Sequence, residues 1–319
     1  MRQIRRFPAL LSVTFLVAAV GLKAAEPPKN HVAAGWSSDS VLEDVKALTM
    51  EGLGATQGVS FHEGKVYLYG DCFDVKPRVG VIREYSAKYE ATGRVIWLRN
   101  EEKPLLRHPT GLTWHDKWGT FLGDTVNRRG IIYQLDWERA LKDGDLRRAV
   151  LAVIEDDAAV NGCRPEFVTF DGKDYLATAD YGDARPEVRL YSLEALLRAR
   201  RTSAPGVIAH RFLASPFNQN LHWDNDTKQL TCVLNVIEGR GWRLETLDLD
   251  RAVADGRAWG PEVRIRAQTF PNLDELEGYR PLPQGLGLFV TSSRKNNLVI
   301  GKIKAGGGEI KDKSGIPGK

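Results

Sequence analysis

The sequence predicts an all-β chain folded as a five-bladed β-propeller, with four antiparallel strands in each blade. Three observations carry that expectation. A short motif returns five times, starting at residues 58, 111, 167, 220 and 278, so that its copies lie 53, 56, 53 and 58 residues apart. The stretches between are rich in β-branched and aromatic residues and are bounded by Gly, Asp, Asn or Pro, as short strands are. A second echo runs in frame with the first: Leu135 to Gly144 matches Leu247 to Gly256 at six of ten positions. Repeats of this length built from short strands point to a propeller or array.

The chain begins with Arg2, Arg5 and Arg6, followed by an apolar run from Ala9 to Leu22 and the small residues Ala24 and Ala25. That order predicts a signal peptide over 1–25, and hence a periplasmic or secreted protein. The apolar run is too short to span a bilayer comfortably, and no later segment is longer. Residues 26–40 read as a mobile segment, 41–304 as the propeller and 305–319 as a Gly- and Lys-rich flexible tail.

In the first repeat Gly58-Val59-Ser60-Phe61 leads through a turn to Tyr67 to Asp71, then to strands over Val79–Tyr85 and Arg94–Arg99. The second repeat offers Gly111 to Trp114, Thr120 to Asp124, Ile131–Asp136 and Ala149–Ile154. The third offers Phe167 to Phe170, Tyr175 to Asp180, Val188–Ser192 and Val207–Phe212. The fourth offers Asn220 to Trp223, Gln229 to Asn235, Trp242–Leu247 and Glu262–Thr269. Asp136, Ser192 and Asp248 stand where an N-cap opens a short helix between third and fourth strands. The fifth repeat, from Gly278, has no outer strand of its own. Val41 to Thr49 is free to supply one and close the ring without an open edge. Six blades is the alternative, and it lacks a further copy.

Composition narrows the partners. The chain has 45 Lys and Arg against 41 Asp and Glu, and four of the bases fall within the first 25 residues, where there are no acids. The remainder is formally neutral, which argues against a general nucleic-acid or anionic-membrane binder. Cys72, Cys163 and Cys232 allow at most one intramolecular bridge, with Cys72 to Cys163 the candidate and Cys232 a core residue.

The repeat also aligns chemistry. One column contains Gln57, Thr110, Glu166, Gln219 and Glu277; a second contains Asp71, Asp124, Asp180, Asn235 and Ser292. In the first three repeats the members of a pair stand 14 residues apart. Propeller geometry places both columns around one mouth of the channel. Turn chemistry alone explains Gly-Asp at a strand end. The sharper reading is a hard-cation site, with Gln57, Glu166, Gln219, Glu277, Asp71, Asp124 and Asp180 as oxygen ligands and calcium as the ion. His108 is expected to reach the same face as a proton-transfer group, with Arg164 and Arg280 holding negative charge. His62 and His115 fall in turns at the opposite face, and His222 reads as a packing residue.

His108-Pro109-Thr110-Gly111-Leu112 resembles the Pro-Asn-Gly-type blade starts of the senescence-marker/gluconolactonase family, which are calcium-dependent lactonases and phosphotriesterases. Pro165-Glu166-Phe167 and Leu276-Glu277-Gly278 are similar to the blade starts of the calcium-activated apyrases, five-bladed proteins with an axial calcium. These resemblances imply a calcium-dependent hydrolase of a small anionic substrate, a phosphoester or a lactone. Two other readings use the same face: a non-catalytic propeller that binds a ligand or protein, and a glycoside hydrolase with Glu166 as acid and Asp71 or Asp124 as its partner. The expected ligand is a small molecule, anionic or sugar-like, and the protein is expected to be a monomer with no membrane contact once the leader is removed.

Overall fold

A computed structural model describes residues 37–235, 242–258, 260, 262–265 and 274–305. The expected signal peptide, nearly all of the 26–40 segment and all but the first residue of the 305–319 tail lie outside the described residues. Among the described residues no helix is long and apolar enough to cross a membrane.

The chain opens with β1 (Ser37–Leu48). A four-stranded sheet follows, made of β2 (Ala55–His62), β3 (Lys65–Cys72), β4 (Val79–Tyr85) and β5 (Ala91–Trp97) in that order. A two-stranded ribbon, β6 (Arg99–Asn100) and β7 (Lys103–Pro104), leads to the second sheet. That sheet holds β8 (Pro109–His115), β9 (Gly119–Val126), β10 (Arg129–Leu135) and β11 (Val150–Asp156), with α1 (Trp137–Asp143) between its last two strands. The third contains β12 (Glu166–Phe170), β13 (Lys173–Ala179), β14 (Glu187–Ser192) and β15 (Ile208–Leu213), with α2 (Leu193–Ala199) in the equivalent place. The remaining strands are β16 (Asn218–Asp224), β17 (Gln229–Leu234), β18 (Trp242–Leu247), β19 (Glu262–Ile265), β20 (Leu276–Leu282), β21 (Leu286–Thr291) and β22 (Leu298–Ala305), with α3 (Leu249–Asp255) before β19.

These last strands join into one eight-stranded sheet through β1, in the order β16-β17-β18-β19-β1-β22-β21-β20. The antiparallel pairing of Val41 with Lys304 and Leu48 with Leu298 makes β1 the outer partner of β22, as the sequence led one to expect. What the sequence did not show is that β1 starts earlier, and that Ser37–Ser40 also pair in parallel with β19. Innermost strands touch in sequence: β2 against β8, β8 against β12, β12 against β16, β16 against β20, and β20 back against β2. The closed circuit of first strands and the four-stranded sheets are those of a β-propeller-like, all-β fold.

Packing explains the closure. One apolar cluster fills each gap between neighbouring sheets. Leu98, Leu106, Leu122 and Trp137 lie between the first and second, and Phe121, Leu176 and Leu196 between the second and third. Leu190, Phe212, Leu221 and Leu247 occupy the next gap, and Trp242, Leu244, Phe289 and Val299 the one after. Met50, Val59, Leu68, Leu288 and Val290 seal the last sheet to the first. Second strands are covered on both faces, so β3 is buried from Val66 to Cys72. The outer strand β11 alternates instead, leaving Leu151 and Val153 exposed while Ala152 and Ile154 are buried. The bridge considered for Cys72 and Cys163 is not formed: all three cysteines are free and buried, and these two sit in different clusters.

The expected caps are present. Asp136 accepts from the Arg139 amide at 3.0 Å and Asp248 from the Arg251 amide at 3.1 Å, whereas Ser192 makes no side-chain cap. Gly144 and Gly256 end α1 and α3 in the left-handed region, at φ 69° and 68°, where a side chain would be strained. The two matched ten-residue stretches are thus one cap-helix-cap module used twice.

Asn297, fully buried, holds the ends of the circuit together. Its Oδ1 accepts from the Met50 amide at 2.7 Å, and its Nδ2 donates to Met50 O at 2.9 Å and Thr56 Oγ1 at 3.2 Å. Asn297→Ala strands both Met50 groups away from water and is expected to cost roughly 2–4 kcal/mol in denaturant unfolding. A loss below about 0.5 kcal/mol would show that this junction does not depend on Asn297.

Candidate functional site

A pocket of about 420 Å³ opens where the first strands finish and turn into the second strands. Its rim comes from the turns after β2, β8, β12 and β16, including His62, Asp116, Asp174 and Asn225. This is the end opposite to the mouth on which the sequence reading placed the chemistry. Trp114, Trp223, Phe61 and Phe167 contribute apolar wall, and Trp114 stacks on the His62 ring with centroids 4.7 Å apart.

The floor is polar. Arg280, from β20, donates through Nη1 to Glu166 Oε1 at 3.3 Å and to His222 Nδ1, and through Nη2 to Ser60 Oγ at 3.3 Å. A guanidinium can only donate, so His222 Nδ1 must be the lone-pair nitrogen and its proton sits on Nε2. Nε2 is itself buried with no protein partner. Glu166 Oε1 also accepts from the Trp223 amide at 3.0 Å.

Together these bonds run around the channel. Ser60 Oγ donates to Leu112 O at 2.6 Å, joining β2 to β8. The Phe167 amide donates to Thr113 Oγ1 at 3.2 Å, joining β8 to β12. Trp223 and Glu166 join β16 to β12, His222 and Arg280 join β16 to β20, and Arg280 returns to Ser60 on β2. The column Ser60, Thr113, Thr169, His222 and Arg280 was visible in the repeat. The signal missed was that its polarity continues in every copy, with Arg in the last.

Electrostatics follow from this packing. Burial works against charge on Glu166, yet Arg280, His222 and the Trp223 amide outweigh it and hold the carboxyl below its ordinary range. His222 is pulled down by burial and by Arg280, against the opposing pull of Glu166, so it is neutral at pH 7. A base whose folded pKa is depressed binds its proton more readily in the unfolded chain, so stability falls as pH drops below 6.5 and levels off below the folded value. His222→Gln is therefore expected to lower the melting temperature less steeply between pH 7 and 5 than the parent does. Superimposable pH profiles for the two would remove His222 from that role.

The residues expected at the opposite mouth divide among several partners. Gln57, Thr110, Gln219 and Glu277 lie inside first strands, at the one-residue bulges of β2, β8, β16 and β20, rather than ahead of them. Asp71 pairs with Arg78 and holds His108 Nδ1 at 3.2 Å. Asp124 accepts from the amides of Arg107, His108 and Thr125, and burial raises it to about 6. Asp180 is bound to buried Arg189 at 2.6 Å. Arg164 donates to Gln219 O at 3.3 Å and lies over the Tyr181 ring. Glu277 is buried, and burial together with neighbouring Glu275 holds its carboxyl well above the ordinary range. Of the four residues expected to be catalytic, the fold brings Glu166 and Arg280 together, while His108 and Arg164 have other partners.

Calcium fits these partners poorly, because the carboxylates named for it already face cations, amides or another carboxyl. Among the described residues no group of three or more His, Cys, Asp or Glu is spaced to hold a metal ion.

Behind the floor, Asn220 Nδ2 donates to Tyr69 Oη at 2.8 Å and to Glu277 O at 3.1 Å. Tyr69 reaches this position only because residue 58 is glycine; a Cβ there would stand 2.1 Å from the Tyr69 oxygen. Small size, not backbone freedom, is what Gly58 supplies.

No protein-family model matches the chain. No curated protein matches it either. Solved structures share the fold at low identity. A GH43 β-1,3-galactosidase is 12% identical, with 82% of this chain and 93% of that one covered and a TM-score of 0.49. A glucose dehydrogenase is 12% identical, with 81% and 98% covered and a TM-score of 0.44. The hydrazine synthase of Kuenenia stuttgartiensis is 11% identical with a TM-score of 0.38; 77% of this chain is covered, which spans 58% of that chain. These likenesses are too distant to supply a substrate.

Proposed function

We propose that the chain is a five-bladed β-propeller that binds a small polar molecule in the pocket where its first strands end. One observation carries this reading: a buried Glu166–His222–Arg280 constellation floors a pocket of about 420 Å³ with aromatic walls. Volume and lining are those of small-molecule sites, which combine apolar walls with a few convergent polar groups. Blade number follows from the five motif copies, the four-stranded sheets and the five apolar gaps. Hydrolysis through an ion-bound water has no place in this reading. Glu166 is tied to Arg280 at the pocket floor and Glu277 lies beside Glu275, so the two are not placed as joint ligands. Nor does Glu166 suit the acid of a glycosidase, since Arg280 keeps it ionised.

Thermal melts against a panel of sugars, amines, carboxylates and phosphates test the proposal. At least one compound is expected to raise the melting temperature of the parent and to lose that effect in Thr169→Trp, which fills the pocket from its wall. A shift equal in both proteins, or none across the panel, would overturn it.

A further inference from the structure

We infer that the occupant of this pocket is a neutral, hydroxyl-rich ring, a saccharide unit rather than an anion or an amine; this rests on the pocket reading above. Three carboxylates line the pocket, Asp116, Glu166 and Asp174, against the single guanidinium of Arg280. A carboxylate or phosphate on the ligand would therefore enter a field of its own sign. Like charges near a protein surface, about 4 Å apart, repel by several kcal/mol at an effective dielectric near 20.

An ammonium ligand meets the converse difficulty. It would be drawn to the rim, but at the floor it would face Arg280, and an ammonium can only donate. The floor and wall offer both kinds of partner. Arg280 donates. Glu166 and Asp174 accept, and neither has its capacity filled: Asp174 takes one bond from Thr169 Oγ1 at 2.8 Å and one contact from His115 Nε2 at 3.1 Å. A hydroxyl both donates and accepts, so a ring carrying several of them satisfies a mixed surface without net charge. Apolar wall from Trp114, Trp223 and Phe61 suits the C–H face of such a ring.

His115 adds to the rim's acceptor character. Its Nδ1 accepts from the Lys117 amide at 3.1 Å, so the proton on Nε2 faces Asp174 and orients that carboxylate. The resulting His115–Asp174 pair sits on a turn, partly exposed, where it can meet a ligand hydroxyl.

Rings of one shape and three charges separate the possibilities: glucose, glucuronate and glucosamine, then galactose, galacturonate and galactosamine. Binding is read at pH 7 and low salt by isothermal titration of the full chain, with tryptophan fluorescence in parallel. A neutral hexose is expected to bind about tenfold more tightly than its uronate or hexosamine. Asp116→Asn should narrow the gap between hexose and uronate by about threefold, and added salt should narrow it too. A uronate or hexosamine that binds more tightly than the neutral ring overturns the inference and leaves the pocket reading intact. No binding by any of the six also overturns it. In that case the pocket reading is judged separately, by whether any other compound gives a melting shift that Thr169→Trp abolishes.

Discussion

Arg280→Ala is expected to cost about 3–5 kcal/mol of stability, the range for removing one partner of a buried ion pair. The side chain is 6% exposed and is the only hydrogen-bonding contact of the floor that touches β2, β12 and β16 at once. Without it Glu166 keeps a buried negative charge, His222 Nδ1 loses its donor, and the bonds around the channel are interrupted. For a chain of this size the loss corresponds to a fall of roughly 6–15 °C in melting temperature. The double variant Arg280→Met with Glu166→Gln is expected to recover most of it, because the stranded charge is then gone. A double variant no more stable than Arg280→Ala alone would show that the guanidinium acts through packing and not through Glu166. Ligand binding should be lost in both, since both lack the floor's donor.

Arg189→Leu is expected to destabilise by a similar amount, about 3–5 kcal/mol, without the same effect on binding. Arg189 is fully buried in β14, bound through Nη1 to Asp180 at 2.6 Å and through Nε to Tyr191 Oη at 2.9 Å. Tyr191 in turn donates to Asp156 Oδ1 at 2.6 Å, which also accepts from Thr202 Oγ1 at 2.8 Å. Two carboxylates would be left inside the third sheet and its neighbour with no cation. Asp180 has a further duty: its Oδ1 accepts from the Val160 amide at 2.8 Å, fixing the loop that leads to β12. Calorimetry on Arg189→Leu, together with the ligand panel, separates the two arginines. A variant that keeps its melting temperature would mean that these carboxyls take up protons at little expense.

Asp180 and Arg189 show where reading the chain stopped. Aspartate at the end of a second strand was legible as a repeated feature, but its partner was not. Arg189 stands in Glu187-Val188-Arg189-Leu190-Tyr191, an ordinary strand pattern in which a charged residue reads as facing solvent. Only the adjoining sheet, which supplies Asp156, makes it an interior position. His222 was passed over for the same reason. Its column was recognised, yet whether that column meets a cation, a carboxylate or nothing depends on how strands from different copies face one another across the axis.

The order of strands, the caps of α1 and α3, the closing role of β1 and the alignment of the polar columns were local or periodic properties. Chain chemistry and repeat spacing determine such properties, so the sequence alone was sufficient for them. Which end of the channel forms a pocket was decided only by tertiary structure. Twist and bulges in the first strands turn Glu166, His222 and Arg280 toward one another, although they are 56 and 58 residues apart along the chain. Distances across a ring depend on the packing of five apolar gaps at once, and no stretch of sequence contains them.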